Sequence, residues 1–514
     1  MKKTRFLWVD DEIELMKPYR LFLEEKGYEL ESANNGRDAV DLCRNEHFDM
    51  IFLDEHMPGI SGLETLSQIA MIRPEIPVVM VTKSEDEGIM EKAIGRKIAD
   101  YLIKPVNPNQ LLITIKKHLD KNEIIREANI INFREEYLPL NNEINRCQTA
   151  EEWAYVYKKL VHWEIELSQT HSPMHELLQS QMMEANNEFA KFIRRNYEKW
   201  LSGKDERPML SFDVFPKVVF PLLDKGEKVF FILIDNFRLD QWYVVKDIVS
   251  EWFSYVDNTF FSILPTATQY ARNAMMAGLT PKQIADNYPE YWVDETKAES
   301  KNANEEFLLQ KQLERHRRDE SFSYYKINTA EEGEHLLRLF PEMASKDLNV
   351  LVYNFLDMLS HARSESDVIR ELASDEAAYR SLTQSWFLHS PLSPLLRKIS
   401  ENGCKAILTT DHGTIRVKNP LKIVSDKDIN ANLRYKTGKN LTYDSAKVVE
   451  TPFPEKFGLP SANLSSRYIF ATGNNFFVYP NNFNPYVSHY GNTFQHGGVS
   501  LEEMIVPLIT LSPK

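Results

Sequence analysis

From Met1 to about Leu119, short apolar runs alternate with stretches whose apolar residues recur at helical spacing: RFLWV, then Leu15, Leu21 and Leu23, then DMIFLD, PVVMVT and DYLIK. This repeated alternation predicts a doubly wound parallel sheet. From about Asp120 to Leu201 no strand candidate occurs, while Trp153, Val156, Leu160 and Trp163 keep a helical period, which predicts a helical bundle or linker. The segment SGKDERP, residues 202–208, combines Gly, Pro and dense charge and marks a boundary. Beyond it the α/β pattern resumes. KVFFILID ends at Asp235, LNVLVYNFLD ends at Asp357 and CKAILTTDHG carries Asp411, so three buried-strand runs each deliver a carboxylate at their C-terminal end. That edge is where open α/β sheets bind ligands. Residues 281–345, rich in Glu, Lys, Asn and Gln, read as a helical insertion capping the site. Residues 417–467, rich in Lys, Asn and Asp, read as exposed strands and loops. The expected organisation is an α/β domain over 1–120, a helical bundle over 121–206 and a second α/β domain over 207–514.

A length of 514 residues agrees with three domains or four, and 43% hydrophobic with 26% charged residues lies in the globular range. The net charge of −14 argues against a protein that grips nucleic-acid backbone, and no helix-turn-helix or basic recognition helix ends the chain. Direct DNA binding is therefore not expected. The densest basic cluster, Arg315, His316, Arg317 and Arg318, reads first as a solvated helix face and second as a phosphate-binding or partner-binding patch. Cys43, Cys147 and Cys404 have no metal-knuckle or redox spacing and read as buried apolar residues. The start MKKTRFLWVDDE leaves no room for a signal peptide's apolar core, and no run of ~18 apolar residues follows. A cytoplasmic protein without membrane insertion is expected.

Asp10 and Asp11 close the first strand, Asp54 the third, Thr82 the fourth, and Lys104 with Pro105 the fifth. Carboxylates gathered at one sheet edge can hold Mg²⁺ through oxygen ligands and leave one aspartate to attack a phosphoryl donor, with a Lys and a hydroxyl meeting the phosphoryl oxygens. This stretch, with LDEHMPGISG, resembles the receiver domain of two-component response regulators. The resemblance implies Asp54 as phosphoacceptor, Asp10 and Asp11 with Asp54 as the Mg²⁺ site, Thr82 as switch hydroxyl, Tyr101 as switch aromatic and Lys104 as phosphate-sensing cation. It also implies a cis bond at Lys104–Pro105. Lys83 departs from the family's small residue after the switch hydroxyl; it either hinders the phosphoryl group or adds a cation to it.

The second half supplies Asp235, then Thr268 in LPTATQYARNAMMAGLTP, Asp357 and His361 in DMLSH, Asp411 and His412 in DHG, and His496 in HGG. Two-metal phosphoryl-transfer sites need such mixed ligands around ions ~4 Å apart. Each element alone is ordinary: a Thr after Pro is usually a cap, and a lone His after Asp is usually structural. Their joint order resembles the alkaline phosphatase superfamily, in the branch holding nucleotide phosphodiesterases, cofactor-independent phosphoglycerate mutases and the PglZ domain. The resemblance implies one metal on Asp235, Thr268, Asp411 and His412 and a second on Asp357, His361 and His496. Mixed Asp/His ligation favours Zn²⁺, with Mn²⁺ the competitor. Of Thr266 and Thr268, the similar diesterase stretch selects Thr268 as the nucleophile, which would form a phosphothreonine intermediate. Asn236 and Ser360 stand where the superfamily has glycines. Arg272 stands where diesterases and mutases present an Asn to the phosphoryl oxygens, and it reads as a bidentate phosphate contact.

End to end, the chain resembles the PorX-type response regulators associated with type IX secretion and sigma-factor signalling. That resemblance implies a partner histidine kinase, homodimerisation on phosphorylation, and contacts with a sigma factor or a secretion component. The leading expectation is a phosphorylation-controlled phosphodiesterase or phosphatase acting on a nucleotide or oligonucleotide. The competing one is a metal-stabilised, non-catalytic regulator that docks a protein partner.

Overall fold

A computed structural model describes residues 4–12, 17–73, 76–83, 98–119, 121–168, 173–203, 206–293, 301–365, 367–425, 430–461 and 465–514. Leu15 lies outside them, as does the side chain of Thr82. The chain divides into two compact units, Met1–Ile131 and Asn132–Lys514.

The first unit is a five-stranded parallel sheet in the order β2-β1-β3-β4-β5, where β1 is Arg5–Val9, β2 Glu29–Ala33, β3 Met50–Leu53, β4 Val78–Thr82 and β5 Asp100–Ile103. The inner strands β1, β3 and β4 are almost wholly apolar because both faces of the sheet are covered there. Leu7, Val9, Ile51 and Leu53 pack on one side, and Phe6, Trp8, Met50 and Phe52 on the other. The expected parallel sheet is present, with Asp10, Asp54 and Lys104 following β1, β3 and β5 at the same edge.

The second unit opens on long helices, Ala150–Leu167 and Pro173–Ser202, and the preceding helix Lys121–Arg146 contains the boundary between the units. Trp153, Val156, Leu160 and Trp163 are all buried, as their spacing predicts. Thr149 caps the helix Ala150–Leu167 in a reciprocal box with Glu152. The helix Pro173–Ser202 is tied down through Asn186, which accepts from the Leu501 backbone N–H at 2.8 Å and donates to both Glu502 carboxylate oxygens.

The core of this unit is a six-stranded mixed sheet. Its centre is β6 (Val229–Ile234), flanked by β9 (Leu348–Tyr353) and β10 (Lys405–Thr409), all parallel. The strand β8 (Phe322–Ile327) extends the parallel part at one edge. On the other side the C-terminal strand Ile505–Pro513 and β7 (Phe253–Phe261) are antiparallel, in the order β7, C-terminal strand, β10.

Three expectations are corrected here. Only part of 281–345 is inserted helix: Phe322–Met343 is a β-strand and helix belonging to the main sheet, and FSYYKI looked polar because an edge strand is only half-buried. Asp357 does not end a strand, since β9 stops at Tyr353 and Asp357 lies in the first turn of the helix Phe355–Glu365, a position that suits a carboxylate. Residues 417–467 are not simply exposed. They contribute strands to small sheets with a buried cluster that includes Leu421, Ile423, Val448 and Ile469.

Burial pushes the Glu502 carboxyl up to about 7 against the opposing hydrogen bond from Asn186. An acid whose folded pKa lies above its unfolded value makes the folded state take up a proton, so stability falls as pH rises through the window between the two, from about 4.5 to about 7. Glu502→Gln is expected to remove that loss, gaining ~1–3 kcal/mol over the parent protein at pH 8 and almost nothing at pH 4.5. Urea unfolding across this range checks it; parallel curves for the two proteins would refute the assignment.

Candidate metal centres

The first unit gathers Asp10, Asp11 and Asp54 so that one oxygen of each lies within 4.8 Å of the others. Asp10 and Asp54 are buried and Asp11 is exposed, which leaves the cluster open on one side. Lys104 reaches Asp10 at 2.6 Å and Asp54 at 2.7 Å. Burial works against its charge, but the hydrogen bonds to both aspartates outweigh it and raise its pKa. The Lys104–Pro105 bond is cis, as the resemblance implies. Tyr101 is half-buried against the core beneath the sheet. Lys83 turns to Glu12 at 2.6 Å, with both side chains largely exposed.

In the second unit, Asp235, Asp411 and His412 form one cluster, wholly buried. Asp357, His361 and His496 form another, in which the His361 side chain is 61% exposed. Parallel pairing of β10, β6 and β9 brings the first cluster's loops and the Asp357 helix to one edge. Asp357 and His361 share a helix face one turn apart. His412 sits with Nδ1 3.1 Å from the Gly413 carbonyl, and His496 with Nδ1 3.1 Å from the Thr266 carbonyl. Those contacts turn both Nε2 atoms towards the carboxylates, the orientation a metal-binding histidine needs. The two rings stack with centroids 4.2 Å apart.

Burial and the neighbouring His412 and His361 hold His496 well below the usual imidazole range, so it is a neutral donor. Oδ1 of Asp235 and Oδ1 of Asp357 are buried and accept no hydrogen bond from the protein. Buried oxygens without donors are costly unless a cation or water meets them, so the two residue sets fit divalent metals.

Thr268 is the first residue of the helix Thr268–Ala277, and its hydroxyl lies 3.1 Å from His412 Nε2. Thr266 is fully buried, donates to the Gly498 carbonyl at 2.9 Å and accepts from Gly497 N–H at 3.0 Å. Its hydroxyl is committed to the HGG loop. The two positions that depart from the superfamily's glycines explain each other: Asn236 takes a left-handed backbone with φ 66°, and its amide donates to Ser360 Oγ at 3.2 Å.

Arg272 differs from its expected position. Its guanidinium faces the carboxylates: it pairs with Asp235, with Asp411 at 3.0 Å and with Glu305 at 3.5 Å, and it is 1% exposed. Against the effect of burial, which raises Asp411, Arg272 and His412 hold this carboxyl down at about 2, while burial keeps Asp235 well above the usual range. Glu305, which sequence reasoning missed, comes from the inserted helix Glu305–Arg315 and also meets Lys326 at 3.0 Å. The basic cluster beyond it is structural in part: Arg315 donates to the Ala277 carbonyl, and Arg318 meets Asp224 at 2.7 Å while lying over the Phe220 ring. Cys43 and Cys404 are buried, whereas Cys147 is half-buried, and all three are free thiols.

Residues 214–511, more than half of the chain, match the family model of the BREX system PglZ alkaline phosphatase-like domain. The chain belongs to the PglZ alkaline phosphatase-like family. Ahead of the PglZ domain, residues 123–201 match the PorX response regulator linker domain and residues 6–116 the response regulator receiver domain. Receiver, linker and PglZ domain together form the PorX-type architecture. Among curated proteins, the chain is 35% identical over 120 residues to the alginate biosynthesis transcriptional regulatory protein AlgB of Pseudomonas syringae pv. tomato, covering 23% of this chain and 27% of that one. It is 31% identical over 114 residues to the transcriptional regulatory protein ResD of Bacillus subtilis, covering 22% and 47%. The matches thus span between about a quarter and a half of these relatives. A CheY-like receiver structure from Methanospirillum hungatei JF-1 is 31% identical with a TM-score of 0.23, covering 23% of this chain and 96% of the other. No described helix is long and apolar enough to cross a membrane.

Proposed function

We propose that this response regulator is a phosphorylation-controlled, zinc-dependent phosphodiesterase or phosphatase that acts on a nucleotide or oligonucleotide. The observation that carries the proposal is the Thr268 hydroxyl, 3.1 Å from His412 Nε2, beside two clusters whose Asp235 and Asp357 oxygens lack donors. Asp235, Asp411 and His412, with Thr268, would hold one metal, and Asp357, His361 and His496 the other. When bound, such a pair lowers the pKa of a nucleophile and stabilises a departing oxygen. Thr268 then attacks phosphorus in line, its hydroxyl proton passes to solvent, and the ester oxygen departs; water later releases the phosphoryl group from Thr268. The N-terminal end of the Thr268–Ala277 helix, which begins at the attacking residue, favours the phosphoryl group's negative charge. The exposed His361 marks the side on which substrate enters.

In the receiver, Asp54 takes the phosphoryl group from a histidine kinase while Asp10, Asp11 and Asp54 bind Mg²⁺, and Lys104 moves from the bare carboxylates to the phosphoryl oxygens. Thr82 and Tyr101 would relay that change, towards a homodimer. By resemblance the output serves type IX secretion, through a sigma factor or a secretion component.

One observation favours a second reading, a metal-stabilised or metal-free docking module without turnover: Arg272 already neutralises Asp235 and Asp411. Metal analysis with hydrolysis of bis(p-nitrophenyl) phosphate and p-nitrophenyl phosphate separates the two. The enzyme reading expects two zinc ions per chain, turnover lost on chelation, and a response to acetyl phosphate in the parent protein but not in Asp54→Asn. Full zinc occupancy with no hydrolysis of either ester would leave the docking reading in its place.

A further inference from the structure

A cavity in the PglZ-bearing unit is lined by none of the residues of the two metal clusters. Its volume is about 640 Å³, within the ~300–1,000 Å³ of small-ligand sites. One wall comes from the helices Ala150–Leu167 and Pro173–Ser202, and the opposite wall from the chain that follows β6 and β10. The lining is polar, but its acids are already satisfied. Glu164 is held by Arg380 at 2.7 Å, Asp240 by Arg238 and Arg380, and Glu376 by Arg416 at 3.2 Å. Glu502 accepts from Asn186, and burial raises its pKa to about 7.

The unspent charge is positive. Lys418 has no acidic partner among the described residues, and Lys447 has only Asp444, at 3.9 Å. Arg416 Nε is buried and without a hydrogen bond. Both lysines are pinned beside one turn: Lys418 N–H donates to the Asn474 carbonyl at 2.8 Å, and the Lys447 carbonyl accepts from Thr472 N–H at 3.3 Å. Deeper in the lining, Tyr157 is 1% exposed, and its hydroxyl makes no hydrogen bond among the described residues. Tyr157 lines the cavity, so its hydroxyl is open to a ligand there.

We propose that this cavity binds a small phosphorylated ligand of mononucleotide size, with its phosphate on Lys418, Lys447 and Arg416 and its polar body over Tyr157. The site is joined to the metal-bearing edge by short lengths of chain. Arg238 lies three residues after Asp235, Arg416 four residues after His412, and Arg238 also reaches the Thr414 carbonyl at 3.5 Å. Occupancy therefore bears on the loops that carry Asp235 and His412. Binding itself requires no turnover at the metal centre.

The test is calorimetric titration of the zinc-loaded full chain with adenosine 5′-monophosphate, alongside Lys418→Glu/Lys447→Glu, Tyr157→Phe and Asp357→Ala/His361→Ala. The lysines are exposed, so their reversal leaves the fold intact, which circular dichroism verifies. The expected result is a binding event that survives Asp357→Ala/His361→Ala, weakens at least about tenfold in the double lysine variant and by a smaller factor in Tyr157→Phe. Adenosine without phosphate is expected to bind more weakly by a similar factor. Binding that disappears with the metal-edge variant alone, or that ignores both lysines, overturns the proposal, as does the absence of any binding at millimolar nucleotide.

Discussion

Thr268→Ala is expected to lower phosphodiester hydrolysis by at least ~10³-fold, equivalent to ~4 kcal/mol of barrier, while zinc content stays at the parent level. The Thr268 hydroxyl lies 3.1 Å from His412 Nε2, whereas its neighbour Thr266 is committed to Gly498 and Gly497. Alanine keeps the helix, because the first turn has no side-chain cap to lose. Thr268→Ser, which retains the nucleophile, is expected to stay within about tenfold of the parent. Measuring metal content beside the rate separates loss of the nucleophile from loss of an ion. A metal-loaded alanine variant that keeps a tenth or more of the activity would remove Thr268 from the chemistry.

The second large effect concerns stability. Arg272 is enclosed by Asp235, Asp411 and Glu305, all of them at most 3% exposed. Removing one partner from a buried ionic cluster leaves charge without compensation and costs ~3–5 kcal/mol. Arg272→Met should therefore destabilise the chelated protein by about that amount, and zinc should restore most of it by binding the folded state selectively. Urea unfolding of both proteins, with chelator and with zinc, measures this. An equal loss under both conditions would mean that Arg272 serves packing rather than charge balance at the metal-binding edge.

Much of the architecture was legible because the central strands of the two large sheets are buried. VFFILI, LNVLVY and KAILT are predominantly apolar runs, and each is followed within a few residues by an acid, which suffices to place Asp235, Asp357 and Asp411 at one edge. The helices were legible from Trp153, Val156 and Leu160. What was hidden lies at sheet margins and in long-range pairing. Half-buried FSYYKI has no apolar run to announce an edge strand, so β8 was absorbed into an apparent insertion. Arg272 finds Glu305 in a polar segment 33 residues further on, and only the tertiary fold makes them neighbours. The pairing of Asn236 with Ser360 was hidden for the same reason, although each could be recognised as an unusual residue in its motif.

The strand Ile505–Pro513 runs between β10 and β7, not at the sheet's margin. On the ribosome, β6 to β10 therefore emerge long before the strand that fills the gap between β10 and β7. Until residue 513 has been made, both of those strands present unpaired backbone, a surface prone to pairing with other nascent chains. A polypeptide that stops short of this strand, through an early stop codon or proteolytic trimming, would accordingly be cleared by quality control rather than persist as a receiver with an idle output domain.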